Sequence, residues 1–183
     1  EALGKWAVSS QSRERIRAMV ELARSEIPIA PAELDKDPWA LNVQNGTLDL
    51  RTGALRQHKR EDLITKLAPV EFARDAVCPR FQKVVMDSAN GDPDLAVYIQ
   101  RHLGYALTGD TSEECLFFWH GTGRNGKGTI AETVRAAMGD YAATTPAATL
   151  TQADNKGPRN DLAALKGIRI VLASEVNEGR KLD

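Results

Sequence analysis

Residues 115–138 read CLFFWHGTGRNGKGTIAETVRAAM, and the fold turns on how this stretch is parsed. Cys115 to Trp119 is a short unbroken apolar run, the pattern of a buried strand. Ile130, Thr133, Val134, Ala137 and Met138 recur at the three-and-four spacing of a helix stripe. Between them lies Gly121-Thr122-Gly123-Arg124-Asn125-Gly126-Lys127-Gly128-Thr129, a glycine-rich loop where a strand is expected to turn into a helix. A bare G-x-x-x-x-G-K arises by chance in roughly one chain in twenty of this length, so the flanks carry the reading. Free amides of such a loop and of the first helical turn converge on one spot and favour an anion there. The glycines allow close approach and positive φ, Asn125 is one of the few other residue types that tolerates it, and Lys127 supplies charge for the outer phosphates of a nucleotide.

One position departs from the usual pattern. A Ser or Thr whose hydroxyl binds Mg2+ commonly follows the lysine, but Gly128 stands here and Thr129 comes next. Thr129 or water is therefore expected to take that place, since magnesium keeps much of its hydration shell. A carboxylate is needed on a neighbouring strand. The run Ile168 to Ala173 reads as that strand, with Glu175 at its tip as a metal-holding candidate and Glu178 as the group that orients or deprotonates the attacking water. Lys127, Glu175 and Glu178 are the candidate catalytic residues.

Moving outward, Ser12 to Ile27 has helical apolar spacing at Ile16, Met19, Val20, Ala23 and Ile27, and Pro28 ends it. Its charged face reads as a solvated surface rather than a nucleic-acid contact. Leu41 to His58, LNVQNGTLDLRTGALRQH, carries the turn pairs Asn45-Gly46 and Thr52-Gly53 and predicts a small antiparallel hairpin or meander. Helices are expected over 79–89, with Phe81, Val84 and Val85 inward, and over 93–107, with Leu95, Tyr98, Ile99, His102, Leu103 and Ala106 inward. His102 reads as a satisfied core or boundary histidine. The change of pattern at Gly109-Asp110-Thr111 sets an expected domain boundary, giving a small helical and hairpin domain over 1–109 and a partial nucleotide-binding domain over 110–183.

Composition sets the outer limits. The chain has 183 residues, 42% hydrophobic and 27% charged, which is globular rather than disordered or coiled-coil. The 24 Lys and Arg balance 25 Asp and Glu to a net charge of −1, so any nucleic-acid contact has to be local. No apolar run approaches the roughly 20 residues of a membrane span. Cys78 and Cys115 form no metal or disulfide spacing and suit a reducing cytoplasm. The start at Glu1 and the stop soon after a strand-like run suggest a segment of something longer.

The hairpin, the GTGRNGKGT loop, the stretch GDYAATTPAATLT with RNDLAALKGIRI, and the strand leading to ASEVNEG together resemble the phage- and plasmid-encoded primase-helicases of helicase superfamily 3. The resemblance covers nearly the whole chain. It implies an α/β fold with a P-loop NTPase core of AAA+ type, truncated to its first half and preceded by a small α+β domain. It also implies ATP and Mg2+ as cofactors, a homo-oligomeric ring of hexameric type, single-stranded or forked DNA as partner, an upstream primase, and a phage or mobile element replicating in a bacterial cytoplasm. Arg159 and Asp161 match a recurrent stretch of loop-positioning type. Where the superfamily often has two adjacent acids, this chain has Ser174 and Glu175, leaving the catalytic base open between Glu175 and Glu178. The family's sensor strand, which lies between the phosphate-loop strand and the acidic strand, its arginine finger and its DNA-gripping loops are not found in the sequence. The expected consequence is weak nucleotide binding and little ATPase or helicase activity for these 183 residues alone. Two other readings share the loop: a P-loop kinase, which requires an acceptor pocket, and an assembly module that binds nucleotide without hydrolysing it.

Overall fold

The computed structural model describes residues 2–121, 123–150 and 160–174. They divide into two compact units, Glu1–Leu34 and Asp35–Asp183. The first is a helical pair, α1 (Ala2–Ser10) and α2 (Arg13–Glu26), with Ser12 capping α2 by accepting the Arg15 N–H at 3.4 Å. Neither helix has a buried residue, and the apolar stripe of α2, including Ile16, Met19 and Val20, is exposed.

The second unit is mixed α/β with two small sheets. β1 (Ala40–Val43), β2 (Gly46–Asp49) and β3 (Ala54–Arg56) form the antiparallel meander that the Asn-Gly and Thr-Gly pairs predict. Leu41 stands opposite Leu48, and Leu48 opposite Leu55. Gly46 packs so close to the Arg56 carbonyl that a Cβ there would collide with backbone, which explains the glycine at that turn. Beyond the meander, Asn45 acts as a surrogate strand: its side chain donates to the Phe72 carbonyl at 2.9 Å and accepts the Phe72 N–H at 3.0 Å.

α3 (Pro79–Ser88) and α4 (Pro93–Ala106) follow, both with Pro in the first turn, where the missing N–H costs nothing. The Asp92 carboxylate caps α4 through the N–H groups of Asp94 and Leu95 at 2.9 and 3.3 Å. Val85 is buried as expected, but Leu95 and Tyr98 are exposed, so the inward stripe of α4 is narrower than its spacing predicts. α5 (Lys127–Met138) leads to β4 (Ala142–Pro146), the short α6 (Asn160–Ala163) and β5 (Ile170–Ser174). β4 and β5 pair in parallel, from Ala142 opposite Ile170 to Pro146 opposite Ser174.

The strand expected over Cys115–Trp119 does not form. A strand exists only by pairing with a neighbour, and the parallel sheet among the described residues consists of β4 and β5 alone. Leu116 and Phe118 are accordingly 60% and 66% exposed.

One core joins residues from both sides of position 110: Leu41, Val43, Leu48 and Ala68 pack with Met138, Tyr141 and Ile170. Tyr141 ties these parts together, its hydroxyl accepting the Asn42 N–H at 3.0 Å and donating to the Lys66 carbonyl at 3.2 Å. Burial pushes the Tyr141 phenol up in pKa, which keeps it a neutral donor. Arg169 lies over the Tyr141 ring, 4.6 Å from its centroid, and donates to the carbonyls of Leu107 and Ala40 at 2.8 and 2.6 Å. These bonds hold a guanidinium whose pKa burial pulls down.

Candidate nucleotide site

The loop from Gly121 enters α5 through Gly126, which caps the helix with φ of +83°. Gly126 has no side chain with which to cap α5, and among the described residues the N–H groups ahead of Ile130 are left for another acceptor. Lys127 is the first helical residue. Ile130, 1% exposed, and Met138, 2% exposed, hold the helix down on its buried side. The loop is thereby fixed at its C-terminal end by ordinary core packing.

Within the loop, left-handed backbone falls at Gly123 (φ +95°) and Arg124 (φ +51°). Arg124 therefore takes the conformation for which Asn125 is the better-suited residue type, and Asn125 does other work. Its side-chain carbonyl accepts from the Lys127 ammonium at 2.7 Å. A Cβ on Gly121 would collide with the Asn125 amide and lie 3.2 Å from Lys127 Nζ, so Gly121, Asn125 and Lys127 converge at the mouth of the loop. A carbonyl oxygen thus sits on the lysine, the kind of partner a phosphate oxygen also provides. Around Gly128 there is open space, with no heavy atom within 4 Å of an added Cβ. Thr129 is exposed on the first turn of α5.

Facing the loop is a wall that the sequence does not announce. A cavity of about 350 Å³ is lined by Val84, Asp87 and Ser88 of α3 and by Arg124, Asn125, Gly126 and Thr129. The approach is closest at Gly126, where a Cβ would strike the Ser88 hydroxyl and lie 3.5 Å from Val84 Cγ1. Gly126 is favoured by its backbone angle, and its lack of a Cβ also lets the Ser88 side chain of α3 come close. Some forty residues separate the two walls in sequence, and no local motif links them.

The run before the loop packs on α4 instead of in a sheet. Phe117 stacks on His102 with ring centroids 3.6 Å apart, and Trp119 meets the same imidazole edge-on at 5.6 Å. The expectation of a satisfied histidine is corrected here: His102 Nδ1 is buried and has no hydrogen-bond partner among the described residues. Burial lowers its pKa and favours the neutral ring.

Thr122, Arg159, Glu175 and Glu178 lie outside the described residues, and Asp161 falls within α6. The described residues bring together Gly121, Asn125 and Lys127 at the loop mouth, and Arg124, Gly126 and Thr129 at the cavity. They contain no cluster of three or more His, Cys, Asp or Glu suited to a metal ion. No described helix is long and apolar enough to cross a membrane.

Two comparisons with known proteins bear on this arrangement. The chain is 27% identical over 141 residues to a protein of Acanthamoeba polyphaga mimivirus named "Putative helicase L207/L206", a match covering 74% of this chain and 15% of that protein. The chain thus spans less than a sixth of that relative's length. Residues 1–88 match the family described as D5 N terminal like, a region that ends on Ser88, the α3 residue that approaches Gly126.

Proposed function

We propose that this chain is part of an ATP-driven DNA helicase of primase-helicase type, with the loop at 121–129 as its nucleotide site. The observation that carries the reading is the convergence of Lys127, Gly121 and Asn125 at the N-terminus of α5, where the capping residue is a glycine. The similarity to a viral protein named as a helicase supports it. In this reading residues 110–183 supply the first half of the motor and residues 1–109 a domain that supports it.

The donor set fits the polyphosphate tail of ATP: backbone amides of the loop and first turn, plus one ammonium. Lys127 would leave Asn125 for the outer phosphates and neutralise charge that develops as the terminal phosphoryl group is transferred. For Mg2+, Thr129 and Glu175 are the proposed ligands, and the ion when bound would offset charge on the phosphate oxygens. Glu175 or Glu178 would orient or deprotonate the attacking water. Single-stranded or forked DNA, a hexameric ring and an upstream primase are the proposed partners of the whole protein, acting in the cytoplasm of a bacterial host.

The test separates a helicase from a small-molecule kinase. ADP release from the full-length protein, followed by rapid mixing, is expected to accelerate with single-stranded DNA. Acceleration by a small hydroxylated acceptor, with DNA inert, would overturn the reading.

A further inference from the structure

The cavity between α3 and the loop carries groups that a phosphate tail does not use. Asp87 contributes a carboxylate whose oxygens accept from Lys83 Nζ at 2.8 and 3.1 Å. That pairing matters because an unpaired carboxylate beside a triphosphate would repel it, whereas the ion pair is neutral overall. The carboxylate nevertheless retains acceptor capacity, since it offers about four lone-pair sites. Beside it, the Ser88 hydroxyl is buried without a hydrogen-bond partner among the described residues, at the point where α3 meets Gly126. A buried hydroxyl is disfavoured until something bonds it. Val84 adds an apolar patch to the same wall.

A ligand complementary to this wall has an anionic tail for the loop, adjacent hydroxyls for Asp87, and an apolar face for Val84. A ribonucleoside triphosphate has these parts in that order. The cavity of about 350 Å³ is also within the size range of small-ligand clefts.

We propose that Asp87 and Ser88 form a ribose subsite, with the Asp87 carboxylate accepting from the sugar hydroxyls and the Ser88 hydroxyl closing the floor. The proposal rests on the reading of the loop as a nucleotide site and extends it to sugar selectivity. A carboxylate is suited to the task because it accepts from two neighbouring hydroxyls at once and loses a bond when one is removed. The last helix of the D5 N terminal like region would then help choose the nucleotide that the loop holds.

The test is titration calorimetry on the full-length protein with ATP, 2′-deoxy-ATP and inorganic triphosphate. The wild-type protein is expected to prefer ATP over 2′-deoxy-ATP by about tenfold, the loss of one charge-assisted hydrogen bond. Asp87→Asn should bring that ratio close to one; because it also releases the Lys83 ammonium, inorganic triphosphate binding should hold or tighten, so a general loss of phosphate affinity does not account for the change. Triphosphate binding with no sugar preference, or a preference untouched by Asp87→Asn, overturns the subsite while sparing the loop reading. Failure of the full-length wild-type protein to bind triphosphate or ATP overturns both.

Discussion

The segments on either side of the glycine-rich loop meet opposite fates. After the loop, α5 is regular and anchored, with Ile130 and Met138 nearly inaccessible. Before it, Cys115–Trp119 is more apolar yet forms no strand, and Leu116 and Phe118 are largely exposed. A helix satisfies its backbone hydrogen bonds within its own turns, whereas a strand depends on a neighbour. Apolar character therefore predicts a wish for burial, while the element that forms depends on what stands beside it. His102 and Phe117 show the compromise: the run gains aromatic stacking on α4 in place of a ladder.

The sharpest way to break this contrast is by truncation on each side. Ile130→Ala should destabilise the chain by about 2–5 kcal/mol, since it empties a fully packed position. Phe118→Ala should shift stability by no more than about 0.5 kcal/mol, as exposed changes do. Chemical denaturation midpoints of the two variants compare the sides directly, and similar losses would refute the difference in anchoring.

A smaller effect is expected at Tyr141, which follows α5 and joins it to the meander through the Asn42 N–H and the Lys66 carbonyl. Tyr141→Phe keeps the ring and leaves both partners unmatched, a cost of about 1–3 kcal/mol in the same assay.

The segment before the loop should respond to pH. Burial holds the His102 pKa below its ordinary value of 6.5, so the folded chain binds this proton less readily than the unfolded one. The favourable state is the neutral ring: above that ordinary value the stacking is intact, and as pH falls through and below it stability declines until the folded-state pKa is passed. His102→Phe should remove that part of the acid dependence, as read from thermal midpoints measured across mildly acidic to neutral buffers.

The mildest change lies within the loop. Gly128 has open space around its Cα, so Gly128→Ser fits without strain and returns a hydroxyl to the position after the lysine. Magnesium-dependent ATP affinity is expected to rise a few-fold, about 1 kcal/mol, while affinity without the metal stays constant.

What the sequence made legible follows from locality. Asn45-Gly46 and Thr52-Gly53 sit in the turns of the meander, Pro79 and Pro93 open the helices they predict, and the run ending at Ala173 belongs to β5. Each signal acts over a few residues. β4 was harder to see because Ala142–Pro146 is small and polar and becomes a strand through its partner β5. The Cys115–Trp119 run misleads for the converse reason. At the site, the glycines and Lys127 were readable as a local motif, but Asp87 and Ser88 arrive from α3 by tertiary packing, and the bond between Asn125 and Lys127 depends on side-chain placement.

The most direct test of the central claim is equilibrium binding of Mg-ATP to the wild-type chain and to Lys127→Ala. With Lys127 contributing a charge-assisted contact to the phosphates, the substitution should weaken binding at least about tenfold and leave thermal stability unchanged, since the lysine's described bond is to Asn125 alone. Equal affinity in the two proteins would contradict the assignment of this loop to a nucleotide.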